Sequence, residues 1–205
     1  MKRVARRLSA GTGISAFLAV LLGGCATTPL IGQSTGRSTT TAPVTSSPSS
    51  STPEGILRIV LTLIQTSSAA QDISLDSFTQ AIGSPPARFR ADRRGYSGNL
   101  TEHWDFLVVL DKAGTTDARL DVEFIDATAD RRAPAPEICA MSLEQAADEL
   151  EAAGFRRETV YGEHGRYMYD RFRRSGLSVE VDSMGAPAVP PQRSMHACIL
   201  AVRVR

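Results

Sequence analysis

The feature that most restricts what this 205-residue chain can fold into is a stretch that cannot fold. Residues 26–52 read ATTPLIGQSTGRSTTTAPVTSSPSSST, mostly Ser, Thr and Pro with almost no large apolar side chain. Such sequence buries too little surface to offset the entropy of ordering it. Residues 25–52 therefore read as a disordered Ser/Thr/Pro-rich tether, with an rms reach of roughly 30 Å. The folded part is confined to residues 53–205, a length suited to one domain around one hydrophobic core.

Within that span, helix signals are each followed by strand signals. Thr52 can cap a helix that starts at Pro53 and carries Glu54 in its first turn. Ile56, Leu57, Ile59, Val60, Leu61, Leu63 and Ile64 make it apolar nearly all round, which predicts a buried helix. Its β-branched residues keep a strand as the competing reading. Ser74–Ile82 predicts a second, short helix with Leu75, Phe78 and Ile82 on one face, stopped by Gly83 and Pro85. SLEQAADELEAAGF (142–155) predicts a third. Ser142 and Gln145 form a capping box, Leu143, Ala146, Ala147 and Leu150 face inward, and Gly154 ends it.

Strand-like segments follow the second helix at 87–91, 102–110 and 118–126, and the third at 157–162, 166–174, 177–183 and 196–204. In ARLDVEFID, Leu120, Val122 and Phe124 alternate with Asp121, Glu123 and Ile125, the pattern of a half-buried antiparallel strand. Turn residues fill 111–117, Ser175-Gly176 reads as a tight hairpin link, and 185–192 as a longer irregular loop. The predicted class is α+β, with short helices packed on an antiparallel sheet. SLDSF (74–78) and SLEQA (142–146) suggest a duplicated helix-plus-three-strand unit.

The chain begins MKRVARRLSAGTGISAFLAVLLGGC. Lys2, Arg3, Arg6 and Arg7 precede an apolar core from Ile14 to Leu22, then Gly23 and Gly24. That is the layout of a secretory signal, and the core is too short to span a bilayer. Leu22-Gly23-Gly24-Cys25 resembles the lipobox of bacterial lipoproteins. The resemblance implies a signal peptide at 1–24, a diacylglycerol on the Cys25 thiol and an N-acyl chain on the new terminus, with no other cofactor. It implies membrane contact through that lipid anchor. Ala26, where an Asp would hold such a protein at the inner membrane, implies the periplasmic face of the outer membrane. Arg6-Arg7 also resembles part of a twin-arginine export signal.

Cleavage there would take four of the 23 basic residues and none of the 22 acidic ones, leaving a net charge of −3. A slightly acidic chain argues against nucleic acid as the partner. Lys112 is the only lysine beyond the leader, so the basic residues are almost all Arg, which suits carboxylate pairing and aromatic stacking at partner surfaces. GC-rich codon usage explains the same bias without function. In a periplasmic setting Cys139 and Cys198 read as a disulfide worth roughly 4 kcal/mol in the chain-entropy model. Two buried free thiols are the alternative.

Catalytic signatures are sparse. His103, His164 and His196 show no metal-ligand spacing, so no metal site is expected. TEHWDF gathers Glu102, His103 and Asp105 around Trp104, a carboxylate–histidine set able to do acid–base work. In a strand, however, Trp104 would share a face with Glu102 and Phe106, away from His103 and Asp105. The richer segment is YGEHGRYMYDRFRR (161–174), since Tyr and Arg are enriched at interface hot spots. Tyr161, Arg166, Tyr167, Tyr169, Arg171 and Arg173 are the partner-binding candidates. A regular strand would put Tyr167 and Tyr169 on one face with Arg171 and Arg173, and Asp170 and Phe172 on the other. An ordinary amphipathic strand is the competing reading. ARFRADRRGY (87–96) reads as an Arg-rich loop, solvated or facing an acidic partner.

LDSFTQAIGSPP (75–86) resembles the helix ending in Gly-x-Pro of small envelope lipoproteins of the BamE type and of β-lactamase inhibitor proteins. The second short helix usual in those families is not evident here. Together these features lead us to expect a non-enzymatic, outer-membrane-anchored protein binder in the periplasm. Its expected role is an inhibitor or immunity protein against a periplasm-acting toxin or hydrolase. Envelope assembly is the alternative, and an envelope enzyme or ligand carrier the rival from a different class.

Overall fold

The computed structural model describes residues 52–185 and 197–205. Residues 1–51, which include the expected signal peptide, Cys25 and the expected tether up to Ser51, lie outside the described residues, as do most of the 185–192 loop and His196.

The three α-helices among the described residues start and stop where local chemistry directs. In α1 (Pro53–Thr66) the Thr52 hydroxyl accepts from the Gly55 N–H, and Pro53 opens the first turn. Its all-round apolar surface is matched by burial of Ile56, Leu57, Val60, Leu61, Leu63 and Ile64. In α2 (Leu75–Ile82), Ser74 and Ser77 cap reciprocally and Gly83 adopts the left-handed conformation, φ 84°, that ends the helix. Phe78 is buried, but Leu75 is exposed, so the expected three-residue face narrows to Phe78 with Ile82 half-buried. In α3 (Leu143–Ala152), the Ser142–Gln145 capping box is present and Leu143, Ala146, Ala147 and Leu150 are all buried.

Among the described residues eight strands form one antiparallel sheet: β1 (Ala87–Arg88), β2 (Arg93–Asn99), β3 (Trp104–Asp111), β4 (Arg119–Asp126), β5 (Arg156–Tyr161), β6 (Tyr167–Arg174), β7 (Leu177–Met184) and β8 (Cys198–Val204). Their order is β1-β2-β3-β4-β8-β7-β6-β5. Two meanders thus run inward from opposite edges and meet where β4 pairs with β8. Each meander has four strands, whereas the sequence reading gave three strand segments after the second helix and a duplicated unit of about three.

The added strand of the first meander is β2, which begins within the segment read as an Arg-rich loop and runs on to Asn99. Gly95, Gly98 and Asn99 give it poor strand propensity, and pairing with β3 along its whole length overrides that. Gly95 is required there. A Cβ would collide with the Val108 carbonyl oxygen and lie 2.9 Å from the Phe89 ring. Arg94 spends its charge locally, donating to the carbonyls of Arg90 at 2.9 Å and Ala91 at 3.4 Å.

Register places one row of residues across seven strands on the helix-covered face: Tyr96, Val108, Val122, Val202, Val181, Asp170 and Thr159. The next row reads Arg94, Leu110, Leu120, Val204, Val179, Phe172 and Arg157. Helix α1 packs on the β2–β3 end of this face through Ile56, Ile59 and Val60. Helix α3 covers the β5–β6 end, where Glu144 meets Arg157. Cys139 and Cys198 form a disulfide with their Cα atoms 4.7 Å apart, tying the segment before α3 to the start of β8.

Candidate functional site: the open face of the sheet

On the face away from the helices the register builds a different row: Gly95, Val109, Asp121, Arg203, Glu180, Arg171 and Glu158. Over five adjacent strands, β4-β8-β7-β6-β5, the charge alternates in sign. Opposite charges directly across a strand pair favour that register. Arg171 donates to Glu180 at 3.1 Å and lies 3.9 Å from Glu158. Arg203 pairs with Asp182 at 2.8 Å and Arg205 with Asp121 at 2.7 Å. Small residues next to the row leave hollows. One of about 150 Å³ is lined by Leu107, Glu123, Ala201, Arg203 and Arg205 among others. Another of about 290 Å³ lies beside Ser97, Asn99, Asp105 and Ile125.

The partner-binding candidates divide between this face and others. Tyr169, Arg171 and Arg173 lie on the open face. The Arg171 guanidinium sits 5.2 Å from the Tyr169 ring centroid and also bonds the Tyr169 hydroxyl, a stacked and hydrogen-bonded pair. Arg173 faces Glu158 at 3.6 Å.

Tyr167 leaves that group, because β6 is not regular. Tyr161 pairs with Tyr167 while the adjacent Val160 pairs with Tyr169, which leaves Met168 as an extra residue. This bulge turns Tyr167 to the helix-covered side. Its hydroxyl lies 3.1 Å from Asp170 and 3.1 Å from Ser183. Tyr161 follows it, the two rings meeting edge to face at 6.5 Å. Arg166 is exposed on the turn between β5 and β6, where His164 and Gly165 both adopt left-handed conformations.

Beneath Tyr167 lies a buried polar network that sequence reading missed. Asp170 is 1 % exposed, at a position where its row neighbour on β7 is Val181. Arg157 binds it through Nε at 3.0 Å and Nη2 at 3.2 Å. The same guanidinium reaches Glu144 of α3 through Nη1 at 2.7 Å and Nη2 at 3.0 Å. Thr159 donates to Asp170 at 2.6 Å. Burial opposes the Asp170 charge, but the bonds from Arg157 and Thr159 outweigh it and hold the carboxyl below its ordinary range. Burial pushes the Tyr167 phenol well above its ordinary range, so it is neutral at physiological pH and can donate. The available signal was Asp170 sharing a strand face with Phe172.

Arg174 is also structural. It donates to the carbonyls of Ala153 at 2.9 Å, Ile64 at 3.2 Å and Ser67, closing the C-terminal ends of α3 and α1 together. Its guanidinium rests 4.5 Å from the Phe155 ring centroid.

The TEHWDF residues arrange otherwise than their spacing suggested. β3 begins at Trp104, and the carboxylate facing His103 is Glu137, 2.7 Å from Nδ1, rather than Glu102 or Asp105. Thr101 donates to the other oxygen of Glu137. Glu137 therefore sits between Thr101 and His103, whereas a hydroxyl nucleophile needs the imidazole between it and the carboxylate. Trp104 is buried and donates from Nε1 to the Pro134 carbonyl at 3.0 Å. Among the described residues no three His, Cys, Asp or Glu side chains converge as a metal site would require.

No family model, curated protein or solved structure matches the chain.

Proposed function

We propose that this protein is a lipoprotein anchored through Cys25 to the periplasmic face of the outer membrane, and that it binds another protein without catalysing a reaction. The role we assign is inhibition of, or immunity to, a toxin or hydrolase acting in the periplasm. The observation that carries the binding role is the open sheet face, where the Tyr169–Arg171 stack sits within a row of alternating charge. Tyr and Arg are enriched at interface hot spots, and Arg171 is already held by Glu180 and Tyr169, which lowers the entropy lost on binding. The anchor rests on Leu22-Gly23-Gly24-Cys25 and the tether on residues 25–52, which would let the domain stand off the membrane. We also read the two halves of the sheet as copies of one duplicated unit. The SLDSF and SLEQA helix starts, and the two four-stranded meanders meeting through their last strands, support this.

The test is capture from envelope extract with fragment 52–205, which keeps the Thr52 cap. A toxin or hydrolase should be retained, and its activity should fall on binding. Capture of a resident outer-membrane assembly component would favour the scaffold role instead. Equal capture by Tyr169→Ala/Arg171→Ala would overturn the assignment of the face. Cys25→Ala should yield a protein without lipid, and normal acylation in that variant would sink the anchor.

A further inference from the structure

One sheet edge is β1, only two residues long; the other is β5, six residues long, and no described strand pairs with its outer side. A strand in that position presents a row of backbone N–H and C=O groups to any compatible partner. Two observations on the open face specify the partner.

First, β5 carries an uncompensated charge. Arg156 lies directly opposite Arg173 of β6, a like-charge pair that disfavours the register. Arg156 makes no hydrogen bond or ion pair with a described residue, while Glu158, two residues along on the same face, is turned toward Arg173 and Arg171 at 3.6 and 3.9 Å. Those distances leave Glu158 short of a good hydrogen bond to either. Second, Arg156 and Glu158 are opposite charges two residues apart on one face of an edge strand. Such a pair is self-complementary under a two-fold axis. When two copies of β5 run antiparallel with Arg157 facing Arg157, each Arg156 falls opposite a Glu158 of the other copy. The alternating row then continues across the junction. The facing Arg157 side chains add no unpaired charge, because each is already held by Glu144 and Asp170.

We infer that β5 is a homodimer edge, pairing antiparallel with β5 of a second copy in this register to form one continuous sheet. The same charges that repel an arbitrary strand select this one. The inference is independent of the partner-binding role.

The test uses the full-length protein with detergent micelles in large molar excess over the chain, so that two chains rarely share a micelle by chance, with mass read by light scattering and sedimentation. The wild type should be a dimer. Arg156→Glu and Glu158→Arg should each lose the dimer, because each sets like charges opposite one another twice. Arg156→Glu/Glu158→Arg should restore it, and circular dichroism should show all three folded. Hydrogen exchange supplies a second readout, with the β5 amides protected in the dimer. A monomeric wild type with freely exchanging β5 amides would overturn the inference, as would a dimer indifferent to both single reversals.

Discussion

The Arg157 guanidinium binds Asp170 along one edge, Nε to Oδ1 at 3.0 Å and Nη2 to Oδ2 at 3.2 Å, where Asp170 is 1 % exposed. Removing one partner of such a buried pair leaves the other charge uncompensated, which costs about 3–5 kcal/mol. Asp170→Ala and Arg157→Ala are each expected to lose that much in urea denaturation of residues 52–205. Arg157→Ala/Asp170→Ala should lose clearly less than the sum of the two. Additive losses in the double-mutant cycle would show that the pair is not coupled.

Acid should act through the same carboxylate. The Asp170 carboxyl titrates lower folded than unfolded, since its hydrogen bonds outweigh its burial. Its contribution is therefore fully present above about pH 4 and is lost as pH falls through the folded value. Asp170→Asn should show a flatter fall in stability between neutral and acid pH than the wild type. Some acid sensitivity should remain through Glu137, held low first by the Thr101 hydroxyl and then by His103.

Arg174 joins the ends of two helices, and its loss frees carbonyls at both. Arg174→Ala is expected to cost about 2–3 kcal/mol. Arg174→Lys should recover only part of this, because one ammonium lacks the planar fork that reaches Ala153 and Ile64 together. A thermal midpoint unchanged in the alanine variant would contradict that role.

The two tyrosines of β6 should behave oppositely. Tyr169→Ala and Arg171→Ala remove partly exposed groups and should leave the thermal midpoint nearly unchanged. Each is expected to weaken partner binding by about tenfold or more. Tyr167→Phe deletes the hydroxyl that meets Asp170 and Ser183 and should cost about 1 kcal/mol of stability with binding unchanged. Titration calorimetry with the captured partner, beside thermal melts, separates the two patterns.

Reducing the Cys139–Cys198 bond opens a link between residues 59 apart in sequence. The expected loss is about 4 kcal/mol. Melts with and without reductant measure it, and equal midpoints would contradict the contribution.

What could be read directly was whatever depends on near neighbours in the chain. The Ser142–Gln145 box and the spacing of Leu143, Ala146, Ala147 and Leu150 specify α3 through contacts three and four residues apart. Alternation in Leu120–Phe124 specifies a two-faced strand in the same way. β2 was not legible, because Gly95, Gly98 and Asn99 speak against a strand and only pairing with β3 overrides them. The face of Tyr167 was not legible either. Alternation holds only in a regular strand, and the bulge at Met168 becomes visible only against β5.

The amino-acid sequence thus determined by itself the class of the domain, the ends of its helices, the presence of paired cysteines and the wealth of Tyr and Arg in 161–174. Tertiary structure alone decided which of those side chains remain available. Arg174 turns out to close two helix ends and Tyr167 to satisfy a buried carboxylate, while Tyr169 and Arg171 stay on the open face. The physical reason is that a side chain's availability depends on partners distant in sequence. Strand register brings Arg157 to Asp170 and Glu180 to Arg171, and no local pattern encodes that register.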